Sequence, residues 1–225
     1  MPPNLRLYAG DHEAESFKRA VEGQHAFFAV ASVIDRMYPL AVSEGNRLFG
    51  DRPERCRMIG HIRHSMIEEE CRKIPTLVGG VIATDQLYTT GNGSFLLLQI
   101  QELMVSMSCV KDENTMPREA QFRALLRRLN QWTLRESSED GGPQRHALVI
   151  HGPMPDNWAQ PAFILAAVPS PNGDRYLYTY DLRRHPGANL AASSSPTPVI
   201  PTVGVQLPQE RKVTLKKKIK VQNEE

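Results

Sequence analysis

The spacing of the apolar residues changes at Pro75, and this change constrains the fold more than any other feature of the sequence. Before Pro75, apolar residues recur every three or four positions, which is the period of an amphipathic helix. After it, apolar and polar residues alternate in short runs bounded by glycine, asparagine and proline, as is typical of strands and turns. The sequence therefore predicts a helical block followed by a sheet.

Two helices are predicted in the N-terminal block. The first spans residues 12–38, and Pro39 either stops or kinks it, because proline lacks the N–H that a helix interior needs. A short continuation through Phe49 stays open. The second helix spans residues 51–73, since the proline at position 53 suits a first helical turn. Pro75 ends this second helix.

Strands are predicted at residues 77–84, 95–100, 147–150, 162–168 and 176–182, and the last two form a hairpin through residues 171–174. Residues 101–110 fit a strand and a helix equally well. An amphipathic helix is predicted over residues 117–135. The fold class that follows is α+β: an N-terminal helical block packed with a mainly antiparallel sheet, one further amphipathic helix, and an extended C-terminal tail.

Composition divides the chain into three parts. Residues 1–184 are predicted to form a globular α+β domain, helical over 12–74 and sheet-rich over 76–184. Residues 185–208 are rich in proline, serine and alanine, which indicates a linker. Residues 209–225 hold six basic and three acidic residues, whereas the rest of the chain holds 21 and 22. The positive charge is therefore concentrated in the tail.

The tail combines two patterns. Its basic residues, with two arginines on the polar face of the predicted 117–135 helix, are candidates for binding nucleic acid or an acidic partner: Lys212, Lys216, Lys217, Lys218, Lys220, Arg123 and Arg127. Its apolar residues alternate with polar ones, with an interruption at Lys217, which predicts a strand that can add to the edge of a sheet: Val213, Leu215, Ile219 and Val221. Residues 216–220 also match a short nuclear-import signal.

These features favour a non-enzymatic interaction or assembly protein. Its basic tail would dock on a partner protein, on a sister subunit in a homo-oligomer, or on nucleic acid. The three cysteines form no disulfide framework, and the N-terminus lacks a secretory pattern, so we expect an intracellular location, cytoplasmic or nuclear. The longest apolar run is shorter than a membrane span, so no membrane partner is expected.

The alternative is a small enzyme or a ligand-sensing domain. A proline-braced segment over residues 151–158 is predicted to be a loop, and it places His151, Asp156 and Trp158 close together. Cys109 is a second candidate centre, if a histidine lies within hydrogen-bond reach. The sequence has no phosphate-binding loop and no dinucleotide fingerprint, so no cofactor is predicted.

Four residues of the N-terminal block have the types that bind zinc: Cys56, His61, His64 and Cys71. Cys56 and Cys71 lie about 22 Å apart on a continuous helix, too far to share one zinc ion. The subset His61, His64 and Glu68 shares one helical face, but such a face is more often simply solvated. No metal site is therefore predicted.

Three tyrosines alternate along the last predicted strand: Tyr176, Tyr178 and Tyr180. Alternation places them on one face, because successive side chains point to opposite sides of a strand. An exposed tyrosine face could stack bases. The opposite face is more polar, so the tyrosine face is predicted to be the core side.

Overall fold

The structure is a computed structural model that describes residues 5–88, 93–130 and 145–185. Its helices are α1 (Leu5–Glu22), α2 (His25–Phe49), α3 (Arg55–Cys71), α4 (Ile74–Leu77) and α5 (Gln121–Arg127). Its strands are β1 (Val81–Leu87), β2 (Ser94–Ile100), β3 (Leu103–Cys109), β4 (Arg145–Met154), β5 (Asn157–Pro169) and β6 (Tyr176–Asp181). Two short 3₁₀ turns cover Arg128–Asn130 and Leu182–Arg184. The predicted α+β class is confirmed.

The six strands form one sheet in sequence order, β1-β2-β3-β4-β5-β6. All neighbours are antiparallel except β3 and β4, which are parallel and are connected through the segment that contains α5. A parallel pair needs such a crossover, because its second strand must start at the same end of the sheet as the first. Residues 103–109 form β3, so the alternative left open for residues 101–110 is resolved in favour of a strand.

The N-terminal helices differ from their predicted boundaries. The predicted first helix is two helices, since the chain breaks at Gly23 and Gln24 between α1 and α2. Pro39 does not stop α2, which continues to Phe49. Its neighbours Met37, Tyr38 and Ala41 are all buried, and their packing offsets the hydrogen bond that the proline removes.

The main core lies between one face of the sheet and helices α1 to α3. Phe27, Val30 and Ile34 of α2 are completely buried there, against Leu98, Val105, Val149 and Ala166 of the sheet. Burying a side chain of this size contributes about 1.5–3 kcal/mol, so α2 anchors the domain. By length and composition alone α2 could span a membrane, and half of its most apolar window is buried within this fold.

The second face of the sheet carries α5 and a smaller apolar cluster of Val110, Leu148, Ile150 and Ala167. Tyr176 packs against this cluster, whereas Tyr178 and Tyr180 pack against the main core. The prediction of a single tyrosine face is therefore wrong. The cause is a register shift in the β5–β6 pairing, where Pro169 pairs with Tyr176 and Val168 with Tyr178.

Candidate functional site

An apolar cavity of about 420 Å³ lies between α5 and the β1–β2 hairpin. Its walls include Leu87, Tyr88, Phe95, Phe122 and Leu125. The ring centroids of Phe95 and Phe122 are 3.8 Å apart in a stacked arrangement, and Tyr88 stacks on Phe95 at 5.6 Å. A concave apolar space of this size with aromatic walls suits the binding of apolar side chains.

This cavity lies beside an open edge of the sheet. Within the described ranges, β1 pairs with β2 alone. Two of its large apolar side chains are exposed, Ile82 at 58% and Leu87 at 78%, and Leu125 across the cavity is 55% exposed. An edge strand presents main-chain N–H and C=O groups that can pair with an added strand. We call β1 together with these cavity walls the β1 acceptor surface.

The opposite edge strand, β6, is arranged differently. It leads directly into the turn Leu182–Arg184, and the Tyr180 hydroxyl donates a hydrogen bond of 3.0 Å to the Glu22 carboxylate of α1. This hydrogen bond therefore links the core-facing side of β6 to helix α1. The exposed apolar residues of the sheet's edges are instead found on β1.

The two arginines singled out in the sequence both lie on α5 and are engaged within the domain. Arg127 is 8% exposed, and its guanidinium donates two hydrogen bonds to the Glu119 carboxylate, at 2.8 and 3.0 Å. Arg123 lies 4.8 Å above the Phe122 ring and donates a hydrogen bond to the Arg118 carbonyl oxygen. The basic and strand-like tail residues lie outside the described residues, in a unit that begins at Ser195.

A second site surrounds Cys109, the last residue of β3. Cys109 pairs in register with His151 of the parallel strand β4. The His151 Nδ1 atom lies 2.8 Å from the Tyr38 hydroxyl oxygen of α2. The Arg63 guanidinium of α3 lies 4.0 Å above the Tyr38 ring and donates to the Trp158 carbonyl oxygen at 3.0 Å. We call Tyr38, Arg63, Cys109 and His151 the Cys109 cluster.

Electrostatics keep the cluster's thiol and imidazole uncharged near neutral pH. Burial raises the pKa of the Cys109 thiol, although the charge of Arg63 and hydrogen bonds from Arg63 and Tyr38 act in the opposite direction. Burial lowers the pKa of His151 to about 3, and the positive charge of Arg63 adds to this. Burial also raises the pKa of the Tyr38 hydroxyl. The cluster therefore lacks the thiolate–imidazolium pair of a cysteine nucleophile.

Only some of the residues predicted for the enzyme or sensor alternative lie close together. Cys109 and His151 are brought together, and Trp158 contributes its main-chain carbonyl to Arg63. Asp156 lies in an exposed turn. The prediction of a long loop over residues 151–158 is wrong, because His151 belongs to β4 and Trp158 to β5, with a tight turn between them.

Sequence reasoning missed Tyr38 and Arg63. Arg63 carried a signal, since it occupies the same helical stripe as the buried Ile59 and Ile67, at four-residue spacing. An arginine within an apolar stripe indicates a buried charge. Tyr38 carried no such signal, because its partner His151 lies 113 residues further along the chain.

The residues considered for a metal site are dispersed. Cys56 is exposed, whereas Cys71 is buried. The His64 Nε2 atom lies 3.6 Å from a Glu68 carboxylate oxygen, and that carboxylate also accepts a hydrogen bond from the Leu96 main-chain N–H at 3.0 Å. Across the described ranges, no group of three or more His, Cys, Asp and Glu residues is placed to hold a metal ion.

Comparison with known proteins yields no match. No protein-family model, no curated protein and no solved structure is significantly similar to this chain.

Proposed function

We propose that this is a non-enzymatic interaction or assembly protein whose β1 acceptor surface receives an extended, strand-forming segment. The observation that carries the proposal is the apolar cavity beside the edge strand β1, which among the described residues is paired on one side only. In strand addition, main-chain hydrogen bonds supply affinity, and pockets for alternate side chains supply specificity. The edge of β1 offers main-chain hydrogen-bonding groups, and the cavity between β1 and α5 offers a pocket for side chains.

We infer that the bound segment is the C-terminal tail, residues 209–225, of a second copy of the chain. Its apolar residues alternate with polar ones, so an added strand would turn one apolar row toward the cavity: Val213, Leu215, Ile219 and Val221. Lys212, Lys216, Lys218 and Lys220 would lie on the opposite side of the strand and limit further pairing, whereas Lys217 interrupts the apolar row. Residues 186–208 reach roughly 75 Å when fully extended, which is enough to reach a neighbouring molecule.

Nucleic acid is the competing partner for the basic residues. The guanidinium of Arg127 is already paired with Glu119 and largely buried, so a phosphate would have to displace a carboxylate. The sequence shows no comparable obstacle to phosphate binding by the lysines of the tail. The salt dependence of binding separates the two partners, because phosphate contacts release counterions and strand pairing does not.

Hydrogen–deuterium exchange on the full-length chain tests the strand addition. A synthetic peptide of residues 209–225 is expected to slow exchange of the main-chain amides of β1, because they gain hydrogen-bond partners. The matched control is the same peptide with serine at positions 213, 215, 219 and 221, which keeps every lysine. We expect the control peptide to give no protection.

Two outcomes would contradict the proposal. Equal protection by both peptides would show that charge, rather than strand pairing, drives binding. A labelled oligonucleotide that binds the full chain with steep salt dependence, while β1 exchange is unaffected by the peptide, would replace strand addition with nucleic-acid binding.

A further inference from the structure

The ladder between β2 and β3 ends before the strands themselves do. Residues 97–100 of β2 pair with residues 103–106 of β3. Both strands continue past this paired part, through residues 94–96 of β2 and 107–109 of β3. The ladder is therefore open at the end of β2 that contains Phe95, one of the cavity walls.

Glu68 of α3 takes the place of a strand partner at this open end. The Tyr88 main-chain N–H donates to the Gly93 carbonyl oxygen at 2.9 Å, in the same register as the β1–β2 pairs. Hydrogen-bonded pairs recur at every second residue of an antiparallel ladder, so the N–H of Leu96 points away from β1 and toward β3. There the continued register would place Met107. The Leu96 N–H donates instead to the Glu68 carboxylate, at 3.0 Å.

This hydrogen bond lies in the interior of the domain. Glu68 is 8% exposed and Leu96 is 1% exposed. A buried carboxylate and a buried main-chain N–H are each costly without a partner, and here each satisfies the other. A carboxyl group inserted between two strands keeps them further apart than the roughly 4.8 Å of a closed ladder.

We propose that Glu68 positions the β1 acceptor surface by holding the start of β2 apart from β3. Phe95 directly precedes Leu96, and its ring stacks on Phe122 of α5 at 3.8 Å. Without the carboxylate, Leu96 would pair with Met107 and draw Phe95 toward β3, which displaces a wall of the cavity. The effect on binding rests on the proposed function, whereas the separation of the strands does not.

Nuclear magnetic resonance on the full-length chain tests the separation. In Glu68→Ala the ladder should extend, and a nuclear Overhauser effect should appear between the Hα atoms of Phe95 and Ser108. Their Cα atoms would then lie about 4.5 Å apart, as in a non-hydrogen-bonded antiparallel pair. Glu68→Gln keeps an acceptor oxygen and should lack this signal, like the wild type. If Glu68→Ala does not fold, Glu68→Leu gives the same comparison, because it removes the acceptor and fills the buried space.

A signal between Phe95 and Ser108 in the wild type would overturn the proposal. Its absence from the folded variant without an acceptor would overturn it too.

Binding of the synthetic peptide of residues 209–225 tests the effect on the acceptor surface. Its affinity should fall at least about tenfold in Glu68→Ala and stay within about threefold of the wild type in Glu68→Gln. Glu69→Ala is the matched control. Glu69 is an exposed neighbour on the same helix that contacts Arg72, and this variant should bind like the wild type.

A Glu68→Ala variant that shows the new signal and still binds the peptide like the wild type would overturn the positioning role. A wild-type chain that does not bind the peptide would instead refute the proposed function. The resonance comparison would then still decide whether Glu68 separates the strands.

Discussion

The buried histidines His146 and His151 are neutral at physiological pH. Burial lowers the pKa of each to about 3, with further lowering by Arg123 and Arg127 at His146 and by Arg63 at His151. Histidine in an unfolded chain titrates near 6.5. Between about pH 3 and pH 6.5 the unfolded state therefore binds more protons than the folded state. In that window the free energy of unfolding rises with pH and falls on acidification.

The first prediction at this scale concerns His151. Urea unfolding at several pH values between 4 and 7 should give a positive slope of unfolding free energy against pH. His151→Asn keeps an acceptor for the Tyr38 hydroxyl but cannot take up a proton. Its slope should be smaller than that of the wild type by the equivalent of up to one proton. An unchanged slope would mean that His151 is protonated in the folded state as readily as in the unfolded state.

Residue-level prediction from the sequence succeeded where a local pattern carried the information. The amphipathic pattern over residues 117–135 indicated a helix where α5 lies, and two apolar residues of that helix, Phe122 and Leu125, form cavity walls. The pairing of Cys109 with His151 could not be foreseen, because it depends on β3 and β4 being adjacent and parallel. A crossover topology is a property of the whole sheet, and no local spacing encodes it.

At the scale of elements, helices α2 and α3 approach each other closely at Gly45. A Cβ atom at this position would overlap the Cγ1 atom of Ile59 on α3. Gly45 is buried although it lies in a helix, where glycine is otherwise unfavourable by about 1 kcal/mol relative to alanine. The close approach of the two helices therefore requires a residue without a side chain.

The second prediction compares two glycines in helices. Gly45→Ala should lower the free energy of unfolding by about 1–3 kcal/mol, because the added methyl group pushes Ile59 out of place. Gly60→Ala is the matched control: no atom lies within 4 Å of its added Cβ, so it should raise stability by about 1 kcal/mol. Chemical denaturation of both variants provides the measurement.

A double-mutant cycle then identifies the cause. In an Ile59→Ala background the Gly45→Ala substitution should cost less than in the wild type, since the overlapping atom is gone. Equal costs in the two backgrounds would contradict a direct contact between these residues.

Most element types were predictable, whereas boundaries depended on tertiary context. Alternation identified the β5–β6 hairpin, but β1 starts only at Val81, because α4 includes Leu77 and residues 78–80 form a turn. Pro75 lies in the first turn of α4, which proline suits, so it does not simply end the preceding helix. The continuation of α2 through Pro39 depends on buried contacts with the sheet, and the local sequence does not show them.

For the whole molecule, the proposed strand addition is a head-to-tail contact. The tail of one copy would occupy the β1 acceptor surface of another, so the two contacting surfaces differ. Such a contact closes into a ring when the rotation allows, and otherwise continues as a chain of molecules. Association should therefore increase with protein concentration and should require both the tail and the cavity.

Light scattering after size exclusion tests this central claim most directly. The full-length chain should exceed its monomer mass of 25.3 kDa increasingly as its concentration is raised. A chain ending at His185 and the Leu125→Glu variant should both remain monomeric, because each lacks one side of the contact. Leu48→Glu changes a leucine of α2 that is 47% exposed and lies apart from the cavity, and it should associate like the wild type. A wild-type chain that stays at 25.3 kDa, or a Leu125→Glu variant that associates equally well, would contradict the account.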